Sequence, residues 1–191
     1  MTPDQKAVAG LILVMFALFA WNKWRYDIVA VISLVALVAL DASMVIRSLN
    51  GERVVAAEDY FVGPAIDILH TTVLRPGEIL TAVRIPSSWA NASFYFEKVA
   101  DRNVWDFSLV SIAAAFKVSG GTIEDSRIVC GAVQTTPRRV TSAEDAIRGQ
   151  ARNAATAKSA AAVSTNGARA LAHNGFKIPL MQNLVRRAIS A

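Results

Sequence analysis

The chain has 191 residues, 53% hydrophobic and 18% charged, enough for one domain with an appendage. Its net charge of +5 is scattered, with adjacent basic pairs only at Arg138-Arg139 and Arg186-Arg187 and no interleaved aromatics, which argues against nucleic-acid binding. The single cysteine, Cys130, excludes an internal disulfide and a cysteine-held iron–sulfur cluster, and His70 and His173 lack metal-ligand spacing, so neither a metal site nor a catalytic residue set is predicted.

The charge is unevenly spread. Residues 1–40 carry five charged groups, Asp4, Lys6, Lys23, Arg25 and Asp27, so +4 of the net charge falls on residues 41–191. Ala7 to Trp21 is an apolar run, and Ile28 to Leu40 is a second, broken only by Ser33. Both fall short of the about 20 apolar residues of a spanning helix. Trp21, Trp24 and Tyr26 with Lys23 and Arg25 have the composition of an interfacial belt. Three readings are open: a membrane hairpin or single span, a buried helix pair, and a cleaved secretory signal. The signal lacks the expected basic start. The chain divides into an apolar helical segment, 1–40, and an α+β domain, 41–191. Membrane association is expected through residues 7–40 if they insert, and otherwise a cytoplasmic or periplasmic location.

From Met44 the pattern changes to short strands. Met44–Ser48 and Arg53–Ala56 read as a hairpin around Leu49-Asn50-Gly51-Glu52, with Asn-Gly as the turn signal. Residues 57–61 form a short helical or looped step. Arg75-Pro76-Gly77 has the Pro and Gly positions of a type II turn. Strands are predicted over Glu78–Ile85 and over Ser93–Val99. The latter puts Phe94, Phe96 and Lys98 on one face. Leu109–Val118 and Ile123–Val133 flank a Ser119-Gly120-Gly121-Thr122 hairpin turn. Ile112-Ala113-Ala114-Ala115 suits a helix by propensity, but its β-branched neighbours favour strand. Cys130 falls in that last apolar strand, where a buried, inert thiol is expected.

After Pro137 the chain turns helical. Ser142 is the expected N-cap of a short helix, Ala151–Ala172 is Ala-rich and helix-permissive, and a last helix begins near Pro179. Leu180, Met181, Leu184, Val185, Ala188 and Ile189 form one apolar stripe at helical spacing, read as a core face. Strands first and helices after predict an α+β fold: a small antiparallel sheet of three to five strands with a layer of about three helices, preceded by the apolar helical hairpin.

Five stretches, in order, carry a resemblance. They are Leu74-Arg75-Pro76-Gly77-Glu78-Ile79-Leu80, Phe94 to Arg102 (FYFEKVADR), Asp106 to Ser111 (DFSLVS), Gly131 to Arg139 (GAVQTTPRR), and Phe176-Lys177-Ile178-Pro179-Leu180 with Leu184 to Ala188. This portion resembles the C-terminal part of the FAD-binding subunit of molybdenum hydroxylases, the family of xanthine dehydrogenases, carbon monoxide dehydrogenases and aldehyde oxidoreductases. The resemblance implies an electron-transfer subunit with FAD as cofactor and molybdopterin-binding and iron–sulfur subunits as partners. It also implies that Leu80 meets the flavin and that Lys98 reaches the flavin region. A lysine there is equally readable as a strand-end side chain snorkelling past Phe94 and Phe96. The family's Gly-rich pyrophosphate segments have no counterpart in these residues, so the isolated chain is expected to bind FAD weakly and to be inactive alone.

The first forty residues are similar instead to the start of divalent-anion/sodium symporter permeases, through Thr2-Pro3-Asp4-Gln5 and Trp24-Arg25-Tyr26-Asp27. Val35–Ala42 fits either parent, so a chimeric or truncated chain is expected. The alternative function is a membrane-anchored non-enzymatic protein or a transporter remnant.

Overall fold

A computed structural model of the chain describes residues 35–102 and 106–191. The permease-like residues and most of the expected apolar hairpin lie outside the described residues. Among those described, no helix is long and apolar enough to cross a membrane. What is seen of the second apolar run is a helical turn, residues 35–39, that seats Val35, Val38 and Ala39 in a core cluster.

Two antiparallel sheets follow, rather than the single sheet expected. The first contains β1 (Ser43–Ser48), β2 (Gly51–Ala56) and β3 (Ile79–Arg84), in the order β2-β1-β3. A short helix, α1 (Ala57–Tyr60), and a long irregular connection separate β2 from β3. The second contains β4 (Ser93–Val99), β5 (Val110–Ser119), β6 (Thr122–Gly131) and the two-residue β7 (Arg138–Arg139), in chain order. A 3-10 turn, Ser87–Trp89, joins the sheets, and α2 (Thr141–Ile147), α3 (Ala154–Ser164) and α4 (Lys177–Ser190) follow.

The turns explain the registers. Ser48 pairs with Gly51, so Leu49 and Asn50 form the hairpin loop, one residue earlier than the Asn-Gly signal suggests. Gly51 instead takes the left-handed region at φ 127°. Glu78 N donates to Arg75 O at 2.9 Å and Gly77 sits at φ 80°, the type II geometry expected. Ser119 pairs with Thr122 around Gly120 and Gly121, both at positive φ, so this hairpin closes on two residues. Ile112–Ala115 lies in β5, because a strand buried on both faces reads as a continuous apolar run.

The central sheet is covered on both sides. Ile112, Ala114 and Phe116 of β5 and Ile128 and Cys130 of β6 pack against α2, α3 and α4. On the other face Ala113, Val129 and Phe96 meet the 35–39 turn and Met44 and Ile46 of β1. The alternation of a strand thus assigns successive residues to two different cores. The predicted stripe of α4 is buried as expected: Met181, Leu184, Val185, Ala188 and Ile189 face the sheet, with Leu180 at the margin. Cys130 is fully buried and its thiol is pushed up to about 12 by desolvation, an inert group.

Two helix expectations need correction. Val140, not Ser142, precedes α2; Ser142 is inside the helix and its Oγ donates to Val163 O at 3.1 Å, tying α2 to α3. The Ala-rich stretch is helical only over Ala154–Ser164. Asn153 caps its start by accepting from Thr156 N at 3.0 Å, and Gly167 at φ 77° turns the chain away soon after its end.

Buried charge holds the helical layer in place. Glu144 on α2 is 1% exposed and accepts from Ile128 N at 2.9 Å. It also accepts from Arg139 Nε at 3.1 Å and Arg139 Nη2 at 2.8 Å, a two-pronged pair. Glu97 on β4 reaches the last helix through Arg187 Nη2 at 3.0 Å.

Candidate functional site

The two expected cofactor contacts lie on different sheets. Leu80 is in β3, an edge strand paired only with β1, and is 39% exposed. Its cross-strand partner is Ile46, which faces the second core cluster. Residues directly opposite in an antiparallel pair share a face, so Leu80 looks to the same side. A register shift between Val45 and Ile46 lets Thr81 fold in, with its Oγ1 donating to Val45 O at 3.1 Å.

Lys98 is near the end of β4. It shares the face of Phe96, and hence of the second core cluster, as the alternation predicts. Its Nζ donates to Asp106 O at 2.7 Å. Asp106 is fixed in turn by Arg102 N, which donates to its Oδ2 at 2.8 Å. Residue 106 was legible only as part of a matching stretch, and its part in positioning Lys98 is visible only in the structure. Asp101 and Arg102 make no ion pair with each other among the described residues.

Lys98 pairs with Ser111, and Ser111 pairs with Gly131, giving one row across three strands. Ser111 is fully buried, and its Oγ has no hydrogen-bond partner among the described residues. Gly131 has no room for a side chain: a Cβ would lie 2.5 Å from Ser111 Oγ and 2.9 Å from Val35 Cγ2. The glycine therefore lets the 35–39 turn settle on the sheet. A cavity of about 240 Å³ opens beside this row, with Val35, Phe107, Ser111, Gly131 and Thr135 among its walls. Phe107 itself is 82% exposed.

An open apolar strand on one sheet and an oriented ammonium with an unsatisfied hydroxyl on the other are the kinds of group that the ring end of a flavin takes. The ring needs a flat apolar contact, a cation where negative charge accumulates and a few hydrogen-bonding groups. They do not resemble a pyrophosphate cradle. Gly120 and Gly121 turn one strand into another in open space, not a strand into a helix N-terminus.

The segment before β3 is held by charge. Arg53 Nε and Nη2 grip both Glu78 carboxylate oxygens at 2.9 and 2.8 Å, and Nη2 also reaches Val73 O. Glu78 further accepts from Arg75 N at 2.8 Å. The Arg53 guanidinium, with the Arg75 amide, lowers the Glu78 carboxyl to about 2. This lock fixes the turn that delivers Ile79 and Leu80.

Residues 95–191 match the family model described as CO dehydrogenase flavoprotein C-terminal domain, and residues 33–88 match that of the FAD binding domain in molybdopterin dehydrogenase. The chain is 30% identical over 160 residues to the nicotine 6-hydroxylase medium subunit of Paenarthrobacter nicotinovorans, covering 78% of this chain and 52% of that protein. It is 33% identical over 114 residues to the glyceraldehyde dehydrogenase medium chain of Sulfolobus acidocaldarius, covering 60% of this chain and 38% of that one. Among solved structures, quinoline 2-oxidoreductase from Pseudomonas putida 86 superposes with a TM-score of 0.70 at 30% identity, over 82% of this chain and 53% of that one. Carbon monoxide dehydrogenase from Hydrogenophaga pseudoflava gives 0.73 at 26% identity, over 83% and 54%. The chain thus spans about half the length, or less, of the relatives it matches. The second match begins at residue 33, so Val35–Ala42, the stretch readable from either parent, falls inside it. With one model covering 95–191 and the fold agreeing, the chain belongs to the CO dehydrogenase flavoprotein C-terminal domain family.

Proposed function

We propose that this chain is part of the FAD-binding, electron-transfer subunit of a molybdenum hydroxylase-type oxidoreductase, with molybdopterin-binding and iron–sulfur subunits as its partners. The observation that carries this reading is the pair of family matches, 33–88 and 95–191, which follow one another along the chain in a single fold. Bound FAD would supply the two-electron relay between the partner subunits and an external acceptor. This chain's own residues do the holding. Leu80 on the open strand offers an apolar contact. Lys98, aimed by Asp106 O, places a positive charge where it offsets negative charge on the ring. The Arg53–Glu78 lock keeps Leu80 in register.

Of the division into 1–40 and 41–191, the residues before 33 are proposed as the part of separate origin, because the family match begins at residue 33 and residues 35–39 belong to a core shared with β1. The chain alone is proposed to hold FAD weakly, since its residues address the ring and not the phosphates. Titration of the full chain with FAD, read by flavin fluorescence, tests both parts. Saturable binding that weakens about tenfold or more, roughly 1.4 kcal/mol, in Lys98→Met and in Leu80→Ala is the expected result. Equal binding by all three proteins would overturn the residue assignment. Flavin copurifying at near one equivalent would overturn the weak-binding part.

A further inference from the structure

The helical side of the central sheet carries a cavity of about 240 Å³ that plays no part in the site described above. It opens where the end of β6, β7, the loop after α3 and the start of α4 meet. Three cations line it, Arg138, Arg169 and Lys177, and no Asp or Glu does.

These cations have no carboxylate partner among the described residues, as is also true of Arg75, Arg102, Arg152 and Arg186. Arg47, Arg53, Arg84, Arg127, Arg139, Arg148 and Arg187 each have a carboxylate partner. Arg138 stands next to Arg139, which pairs with Glu144 of α2 and with Glu58 of α1. The side chains of Arg138 and Arg169 make no hydrogen bond or ion pair among the described residues, although the Arg138 backbone is paired with Cys130 in the sheet. Lys177 Nζ has only a neutral partner, Ala132 O at 2.8 Å. Ala132 is held at φ 62°, a left-handed conformation that costs a residue with a Cβ about 1 kcal/mol or more. The Lys177 ammonium is thus tethered to a backbone carbonyl beside the cavity that the lysine lines.

The helix ends do not decide the sign of this cavity. The N-terminus of α4 contributes about half a positive charge and the C-terminus of α3, through Ser164, about half a negative one. These offset each other, and three full positive charges remain. Asn174 accepts from Leu171 N at 2.6 Å through Oδ1, which leaves its NH2 as a neutral donor on the wall. Planar guanidinium groups with an ammonium and amide donors suit an oxyanion with more than one oxygen.

We propose that this cavity binds a phosphate group, with Arg138 and Arg169 as its charged donors and Lys177, oriented by Ala132 O, as the third. The phosphate comes either as the free dianion or on a nucleotide. The cavity lies on the α3 and α4 side of the central sheet, and neither Leu80 nor Lys98 lines it.

Calorimetric titration of the full chain with inorganic phosphate and with adenosine 5′-phosphate, at constant ionic strength set by sodium chloride, tests this. One saturable site is expected, weakened at least tenfold by Arg169→Gln and by Arg138→Gln and unchanged by Lys98→Met. Arg169 is exposed and makes no polar contact, so its variant keeps the fold and isolates the charge. Equal affinity for both ligands identifies free phosphate as the source, and tighter binding of the nucleotide identifies the ester. No saturable heat with either ligand, or unchanged affinity in Arg169→Gln, would overturn the proposal.

Discussion

The two faces of the central sheet are finished to different degrees. The face under α2, α3 and α4 has a closed apolar core: Ile112, Phe116, Ile128, Leu184, Val185 and Ile189 are all at most 1% exposed, and the one buried carboxylate among the described residues, Glu144, has each of its oxygens engaged. The other face is covered only in part. The 35–39 turn and β1 bury Ala113 and Val129, yet Ile79, Leu80 and Val83 of β3 and Phe94 of β4 stay open to solvent. A closed face needs nothing more to be stable. An exposed apolar edge strand is a surface that natural proteins cover or pair. The fold therefore leaves its open apolar surface on the second side, where the expected flavin contacts fall, while the helical side offers only the polar cavity lined by Arg138, Arg169 and Lys177.

The largest test of that contrast is on the closed side. Glu144→Leu strips Arg139 of its two-pronged partner and leaves Ile128 N–H without an acceptor. It should cost about 3–5 kcal/mol, measured by urea denaturation. A loss below about 1 kcal/mol would mean that the helical layer does not depend on this pair.

A middle effect is expected at the row under the 35–39 turn. Gly131→Ala should cost about 1–3 kcal/mol, because its Cβ collides with Ser111 Oγ and Val35 Cγ2. Adding Ser111→Ala should recover part of that loss. Ser111→Ala alone should be neutral or stabilising, since it deletes a buried hydroxyl without a partner. Thermal melts of the two single variants and the double variant check all three outcomes.

The smallest effect belongs to the open side and is read through pH. Glu78 has its folded pKa lowered from 4.5 to about 2 by Arg53, so the folded state favours the carboxylate. Its contribution to stability is complete above about pH 4.5 and is lost as pH falls toward 2. Denaturant midpoints taken between pH 5 and pH 2 should therefore converge for the native chain and Glu78→Gln. Parallel curves would show that the lock adds nothing to the fold.

Much of this was legible in the sequence because it depends on local chemistry. Gly120-Gly121 and Pro76-Gly77 specify their turns by φ alone, and the α4 stripe follows from helical spacing. The division into two sheets was not legible. It depends on which face of β5 meets which neighbour, and Ile112-Ala113-Ala114-Ala115 reads as uniformly apolar because both faces are covered. The helix caps failed for a related reason. Ser142 has the right chemistry for a cap, but a tertiary acceptor, Val163 O, claims its hydroxyl. Leu80 and Lys98 could be nominated only through resemblance. Asp106, which aims the lysine, acts through its backbone carbonyl, an atom that every residue has.

Asp41 deserves a last consequence for how this protein is cut. It ends the 35–39 turn in a left-handed conformation, φ 50°, while Ala42 N closes back on Leu37 O. Its two carboxylate oxygens then bind Arg127 Nε at 2.9 Å and Trp89 Nε1 at 3.0 Å, and the Trp89 ring carries Lys117 and Arg127 on its face. One side chain thus rivets the entry of the domain to both sheets' connecting turn and to β6. Trimming the chain between residues 34 and 35 leaves that rivet in place. Trimming it after Asp41 removes the rivet, the cover of Gly131 and one wall of the Ser111 cavity together, so a shortened version has to keep residues 35–41.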